Sequence, residues 1–380
     1  MMSLIFYGLL PLALSQFSSV NCLFEQQLDI DTYEDLVDKA KFGNGSIDVI
    51  QTTKKLILLD SDLNILNSTL GPKTTGYSCN RVMGYPLGNI FFVGCQQNGS
   101  VAYLQGYQCN GLNCKAFGDI VYIPLGVQLF DKAVVIGNTL VMLQTDRVIF
   151  YTVVVQATSW YLRTTSYVFD KSYFNKTSLY LTDFDIKSYY MDSQLVYRIL
   201  MTDRNDGVLW VDSIFRTNNL VPYSQGSILL RQTIINLKTT TKFKSAAILN
   251  ASENSTEFVV STDFEDNYQI LYQSNKAILE SVLNRYKDWT PISYITLKGN
   301  AVAIPYQNSQ GTIVTPLYKI KQFSESTDLI QLQQDYTDLL FSNSLKHFLI
   351  YFVDGDYVIY KSDTDSFTKC KLGQYNNINQ

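Results

Sequence analysis

Apolar runs and short polar turns alternate along this chain with a recurring form. Seven segments each hold an apolar strand, a turn rich in Asp, Asn, Gly or Gln, and a second strand. They read LILLDSDLNIL, FFVGCQQNGSVAYL, LVMLQTDRVIFY, ILMTDRNDGVLWV, FVVSTDFEDNYQILY, AVAIPYQNSQGTIVTPLY and LIYFVDGDYVIY. Their first strands begin at Leu56, Phe91, Leu140, Ile199, Phe258, Ala301 and Leu349. The turn residues tolerate positive φ and hydrogen-bond their own backbone, so each segment predicts a β-hairpin. In the second strands the residues alternate, as in Val358 and Tyr360 against Ile359 and Lys361. A further strand fits on each side: NRVMGY and KAFGDIVYI flank the second segment, and KAVVIG and SWYLRTTSYVF flank the third. Two stretches have helical spacing instead. DTYEDLVDKAKFGNG starts with Asp31 as an N-cap and Glu34 three residues on, and Gly43 and Gly45 would end it. KAILESVLNRYKDW, residues 276–289, puts Ile278, Leu279, Val282, Leu283 and Tyr286 on one helical face, stopped by Thr290 and Pro291.

Four strands repeated every forty to fifty residues or so is a pattern of stacked modules. One such sheet cannot bury both faces, whereas sheets packed around an axis cover one another. The repeat resembles the β-propeller superfolds in general, over residues 23–372. That resemblance implies an all-β chain: a single closed propeller of seven blades, or six or eight if a unit is extra or missed, with one or two short peripheral helices. LIYFVDGDYVIY would then be the central hairpin of the last blade. The Gly-His and Trp-Asp pairs of WD40 repeats and the di-glycines of Kelch repeats are absent. TDRNDGVLW, residues 202–210, is similar to the Asp-box turn of sialidases, but Asp206 directly precedes Gly207, so the Asp-X-Gly order is missing. No family's active site carries over. Tandem β-sandwiches are the rival architecture; no Pro/Gly/Ser linker divides the chain, and no buried-Trp-plus-cysteine-pair pattern supports them.

The ends change the cellular reading. MMSLIFYGLLPLALS has an apolar run from Leu4 to Leu14 and small residues Ala13 and Ser15, the form of a secretory signal peptide over residues 1–15. An uncleaved anchor reaching Leu23 would place Gln16, Ser18, Ser19 and Asn21 in the bilayer, which disfavours it. After cleavage no membrane span is expected, and residues 373–380 read as a loose polar tail. A secreted or lumenal setting makes the six cysteines disulfide candidates: Cys22, Cys79, Cys95, Cys109, Cys114 and Cys370. Six cysteines allow fifteen pairings. Local geometry favours Cys79–Cys95 across neighbouring strands and Cys109–Cys114 around CNGLNC, which leaves Cys22 with Cys370. The same setting makes the Asn-X-Ser/Thr sites glycosylation candidates: Asn44, Asn67, Asn98, Asn175, Asn250 and Asn254.

Candidate chemistry adds little. His347, the single histidine, has no Gly-X-Ser-X-Gly or comparable nucleophile motif beside it. The acidic turns (Asp60 and Asp62; Asp203 and Asp206; Asp263, Glu265 and Asp266; Asp354 and Asp356) lack the fixed offsets and closing Glu of an EF-hand loop. Cys109 and Cys114 have no second ligand pair for zinc. No cofactor or metal is expected. Net charge is −4 without a basic stripe, which excludes nucleic acid as a partner. Trp160, Trp210 and Trp289 suit core or rim packing, with sugar stacking open for one of them. These features leave a secreted module that binds a protein or glycan on a loop-rich face. The alternatives are a glycan hydrolase with acidic residues in a central pocket, and a structural component of an extracellular or membrane-associated assembly.

Overall fold

In a computed structural model, strands are described between Phe24 and Cys370, with the side chains of residues 78–273 described almost throughout; residues 1–23, 371–380 and several intervening stretches lie outside the description. Among the described residues the strands form seven antiparallel sheets. Sheet I holds Leu36–Phe42, Ile47–Thr52, Lys55–Leu59 and Ile65–Leu70. Sheet II holds Ser78–Tyr85, Ile90–Gln97, Ser100–Asn110 and Asn113–Tyr122. Sheet III holds Lys132–Ile136, Thr139–Gln144, Arg147–Val155 and Trp160–Phe169. Sheet IV holds Leu181–Met191, Gln194–Asp203, Gly207–Arg216 and Asn219–Ile228. Sheet V holds Phe243–Ala251, Ser255–Thr262, Asn267–Gln273 and Lys276–Leu283. Sheet VI, within 290–340, is irregular and six-stranded. In sheet VII, Phe348–Val353, Asp356–Lys361 and Ser366–Cys370 are completed by the N-terminal strand Phe24–Gln27, whose Phe24 lies opposite Lys369.

In sheets I to V strand order follows chain order; first strands pack beside one another between sheets I and II, II and III, and IV and V, while Leu181–Met191 of sheet IV lies beside Thr139–Gln144 of sheet III. Phe348–Val353 touches both Leu36–Phe42 of sheet I and Thr296–Lys298 of sheet VI. Cores form in the seams. Phe42 and Leu58 meet Phe91 and Tyr103 between sheets I and II. Phe92 and Leu104 meet Leu140 and Trp160 between II and III. Phe150 and Phe169 meet Phe184 and Ile199 between III and IV. Leu200 and Ile214 meet Phe243 and Phe258 between IV and V. Val259 meets Val302 and Tyr306 between V and VI. Successive residues of a middle strand therefore enter different cores: Leu140 and Met142 face one neighbour, Val141 and Leu143 the other. Burial on both faces is why these strands read as unbroken apolar runs.

Several expectations need correction. Residues 31–45 and 276–289 are not helices where described: they supply the strands Leu36–Phe42 and Lys276–Leu283. In the second case a bulge sets Gln269 opposite Ser281 but Ile270 opposite Leu279. That extra residue puts positions 279 and 282 on one face of a strand, a spacing of three that imitates a helix. Helical turns occur elsewhere, at Pro124–Gly126 and Leu230–Thr233, in connections between sheets. LIYFVDGDYVIY is the inner hairpin of sheet VII, because the fourth strand comes from the N-terminus. LILLDSDLNIL is likewise the outer pair of sheet I. Four segments, from Phe91, Leu140, Ile199 and Phe258, are middle hairpins as expected.

The seam between sheets II and III is closely fitted at Gly106, where an added Cβ would lie 2.6 Å from Trp160 Nε1 and 3.0 Å from the Phe117 carbonyl oxygen. Trp160 cannot yield freely, since its Nε1 donates to that carbonyl at 3.0 Å. Gly106→Ala is expected to destabilise the fold by about 1–3 kcal/mol, read as a lower urea midpoint at unchanged slope.

Candidate functional site

Antiparallel order sorts the connections onto two faces. Turns 86–89, 111–112, 137–138, 156–159 and 192–193 lie on one face and are short. The passages from sheet to sheet, 71–77, 123–131, 170–180 and 229–242, lie on the other, with the middle-hairpin turns. Loop-rich faces on a rigid scaffold are where binding residues concentrate.

Near that face, the innermost strands begin at a polar belt that runs from sheet to sheet. Neighbouring first strands share no ladder, so side chains take up backbone groups across the seams. Asp38 Oδ2 accepts from the Val82 N–H at 2.9 Å. Arg81 donates from Nε and Nη2 to the Asp131 carbonyl, at 2.8 and 2.5 Å. Lys132 Nζ donates to Asp183 Oδ1 at 2.9 Å and to the Phe184 carbonyl at 2.6 Å. Ser245 donates to Asp183 Oδ2 and accepts from the Ile295 N–H at 3.1 Å. Asp185 Oδ2 accepts from the Ile248 N–H at 2.7 Å. Burial pushes the Asp183 carboxyl up, against the pull of Lys132 and Ser245. Burial also raises Asp131, which Arg81 partly opposes. A glycosidase pair needs carboxylates aimed at a substrate. Asp38, Asp183 and Asp185 are instead held by donors of neighbouring sheets.

The acidic turn Asp203–Asp206 is similarly occupied. Lys176 Nζ lies 2.9 Å from Asp203 Oδ2 and 2.7 Å from Asp206 Oδ2. Burial alone would lower this ammonium; the hydrogen bonds to Asp206 and Asp203 outweigh it, and the net shift is upward. A tethered ammonium thus sits where the sequence invited a calcium reading. Arg231 donates to the Asn205, Thr241 and Lys238 carbonyls, fixing the connection 229–242 against the same turn.

On the opposite face, Arg198 and Asp212 form a buried pair at 2.7 Å, with side chains 4% and 3% exposed. Arg198 lies against the rings of Tyr189 and Trp210 and donates to the Ser252 and Ser255 carbonyls of sheet V, at 2.9 and 3.1 Å. It therefore pins the hairpin that carries Asn250 and Asn254. No sequence motif announced this pair. Its one signal is register: with Asp203 opposite Gly207, residues 198 and 212 must face each other.

Two expected disulfides are present. Cys79 lies directly opposite Cys95, with Cα atoms 3.9 Å apart, and Cys109 opposite Cys114 at 4.0 Å. Cys370 ends the strand Ser366–Cys370, while Cys22, Asn44, Asn98 and His347 lie outside the described residues. Asn175, Asn250 and Asn254 are exposed. Asn67 Nδ2 donates to the Leu112 carbonyl at 2.7 Å, across to the Cys109–Cys114 hairpin. Trp160 is buried, Trp210 packs over Gly226 and Arg198, and Trp289 edges the core between sheets V and VI.

No known protein-family profile matches the chain, and no curated protein matches it in sequence. Solved structures do. The β-propeller domain of Cps50 (Swd1) from Myceliophteria thermophila superposes with a TM-score of 0.50 at 9% identity, over 91% of this chain and 99% of that one. YCF48 bound to D1 peptide gives 0.51 at 10% identity, over 93% and 97%. A 6-phosphogluconolactonase candidate from Bacteroides uniformis gives 0.53 at 9%, over 90% and 92%. At these identities the likeness is one of fold. The chain is an all-β protein of β-propeller type.

Asp183 gives a pH test. Its carboxyl is raised in the folded state, so the fold holds that proton more tightly than the unfolded chain does. Its contribution to stability is therefore fully present below the ordinary carboxyl value and is lost as pH rises through the raised one. Asp183→Asn cannot titrate. The stability of the wild type relative to Asp183→Asn is expected to improve as pH falls from 7 towards about 4, measured by urea unfolding at each pH.

Proposed function

We propose that this chain is a secreted or lumenal interaction module: a closed, seven-bladed propeller over residues 23–372, preceded by a cleaved signal peptide at 1–15 and followed by a loose tail at 373–380. It binds a partner through the loop-rich face, and a protein is favoured over a glycan. One observation carries the reading. The described carboxylates Asp183, Asp185, Asp203 and Asp206 are held by the chain's own donors, while the passages between sheets expose Leu125, Tyr180 and Leu229. Such a face offers contact area rather than a poised acid and base. The solved complex of YCF48 with a peptide supports it by analogy of fold. The glycan-directed hydrolase draws what support it has from the lactonase-like neighbour.

Closure is part of the proposal. The pairing of Phe24–Gln27 with Ser366–Cys370 in one sheet supports Cys22–Cys370 as the third disulfide. In the chain-entropy model so long a loop stabilises by up to ~5 kcal/mol. Glycans on Asn175, Asn250 and Asn254, and on Asn44, Asn67 and Asn98, belong to the same secreted reading.

Two measurements test it. Peptide mapping of the unreduced protein is expected to return a Cys22–Cys370 peptide, an N-terminus at Gln16 and glycan mass on the exposed sequons; free thiols at Cys22 and Cys370 would contradict it. A photo-crosslinking residue at Leu229 is expected to capture a polypeptide from the native secretion medium, and one at Leu87 on the other face is not. Turnover of chromogenic glycosides without capture at Leu229 would favour the hydrolase.

A further inference from the structure

On the loop-rich face, one cation stands apart from the others. Arg204 occupies the turn between Gln194–Asp203 and Gly207–Arg216, over the seam between sheets IV and V. Its backbone is tied on both sides: its N–H donates to the Tyr180 carbonyl at 2.8 Å, and its carbonyl accepts from the Phe243 N–H at 3.0 Å. Its guanidinium lies over the Tyr180 ring, 5.2 Å from the centroid, and that tyrosine is 42% exposed. Among the described residues, nothing accepts a hydrogen bond from this guanidinium. Its Nε is buried without a partner.

The other half-buried arginines on this face are committed. Arg81 donates to the Asp131 carbonyl, and Arg231 to three carbonyls. The acids around Arg204 are committed too: Asp203 and Asp206 hold Lys176, and Asp263 accepts from the Lys242 N–H. Lys242 adds a second positive group, its Nζ 3.1 Å from Asn205 Oδ1. The buried Nε stays out of a ligand's reach, but the two Nη groups of this stacked guanidinium meet no acceptor among the described residues and are left for a ligand anion.

We propose that Arg204 and Tyr180 anchor a carboxylate from an acidic segment of the protein partner. The two Nη groups present a planar fork that a carboxylate meets bidentately; phosphate and sulfate oxyanions can meet it too, and the absence of a basic cluster in the sequence around Arg204 favours the singly charged carboxylate of a polypeptide. The Tyr180 ring holds the fork in place, and Lys242 favours a second acid on the same segment. This rests on the protein-binding reading and deepens it by naming the chemistry the partner must carry.

The test uses the full chain in about 0.1 M salt, where exposed charges beyond about 10 Å are largely screened. The probes are a fluorescein-labelled decapeptide of alternating Glu and Gly, its Gln counterpart, and a heparin-derived hexasaccharide, followed by anisotropy. The Glu peptide is expected to bind and the Gln peptide not. Arg204→Gln is expected to weaken binding about tenfold, and Arg204→Lys to recover part of it, since charge returns without the fork. Arg163→Gln, at an exposed position on the outer strand Trp160–Phe169, is expected to change nothing. Should Arg204→Gln fail to fold, Tyr180→Leu is expected to weaken the same peptide several-fold. Equal binding by wild type and Arg204→Gln, equal loss in Arg163→Gln, or preference for the hexasaccharide would overturn the proposal. If Leu229 cross-links a polypeptide but the Glu peptide does not bind, this inference falls and the binding-module reading stands. If Leu229 captures nothing, the wider reading falls as well.

Discussion

A sheet of four strands whose two faces are both apolar cannot be stable in water alone. The rest of this molecule follows from that constraint. Each sheet leaves alternate residues of its middle strands facing two different neighbours, so Val259 looks towards sheet VI while Phe258 looks towards sheet IV. Among the described residues the buried apolar surface is divided among the seams rather than gathered in one core. Damage at one seam, such as a Cβ forced against Trp160, weakens the two sheets that share it. The apolar term sets only the pairing of sheets, because it is non-directional.

Orientation comes from polar groups in the seams. Inner strands of neighbouring sheets run beside each other without a shared ladder, so their free N–H and C=O groups would be left unpaired. Asp38, Arg81, Lys132, Asp185 and Ser245 take up such groups across the seams, and Asp183 ties together the side chains of Lys132 and Ser245 from the sheets on either side. The same residues that would attract a catalytic interpretation are those the architecture needs. Arg204 is a group the architecture does not use in this way: hydrogen bonds from two seams fix its backbone, while its guanidinium meets no acceptor among the described residues.

Much of this was legible in the sequence, for identifiable reasons. The middle hairpins at Phe91, Leu140, Ile199 and Phe258 were readable because burial on both faces, a polar turn and alternation coincide there. Cys79–Cys95 and Cys109–Cys114 followed from the same registers. The phase of the last unit was not readable. Nothing in residues 351–362 tells that their fourth strand lies more than three hundred residues earlier, at Phe24–Gln27. Residues 276–283 misled because a bulge makes a strand imitate a helix, and residues 36–42 because a capping pattern says nothing of the neighbouring sheet that overrides it. The Lys176 and Arg204 sites were invisible: both depend on which connection lies over which turn, and spacing along the chain does not encode that.

The central claim is that the sheets cover one another around an axis rather than forming separate globules. Small-angle scattering from the purified chain tests it most directly. Mutual covering predicts one compact particle with a radius of gyration of about 21 Å for a chain of this length. A markedly larger value, with a distance distribution showing two or more separated maxima, would contradict it.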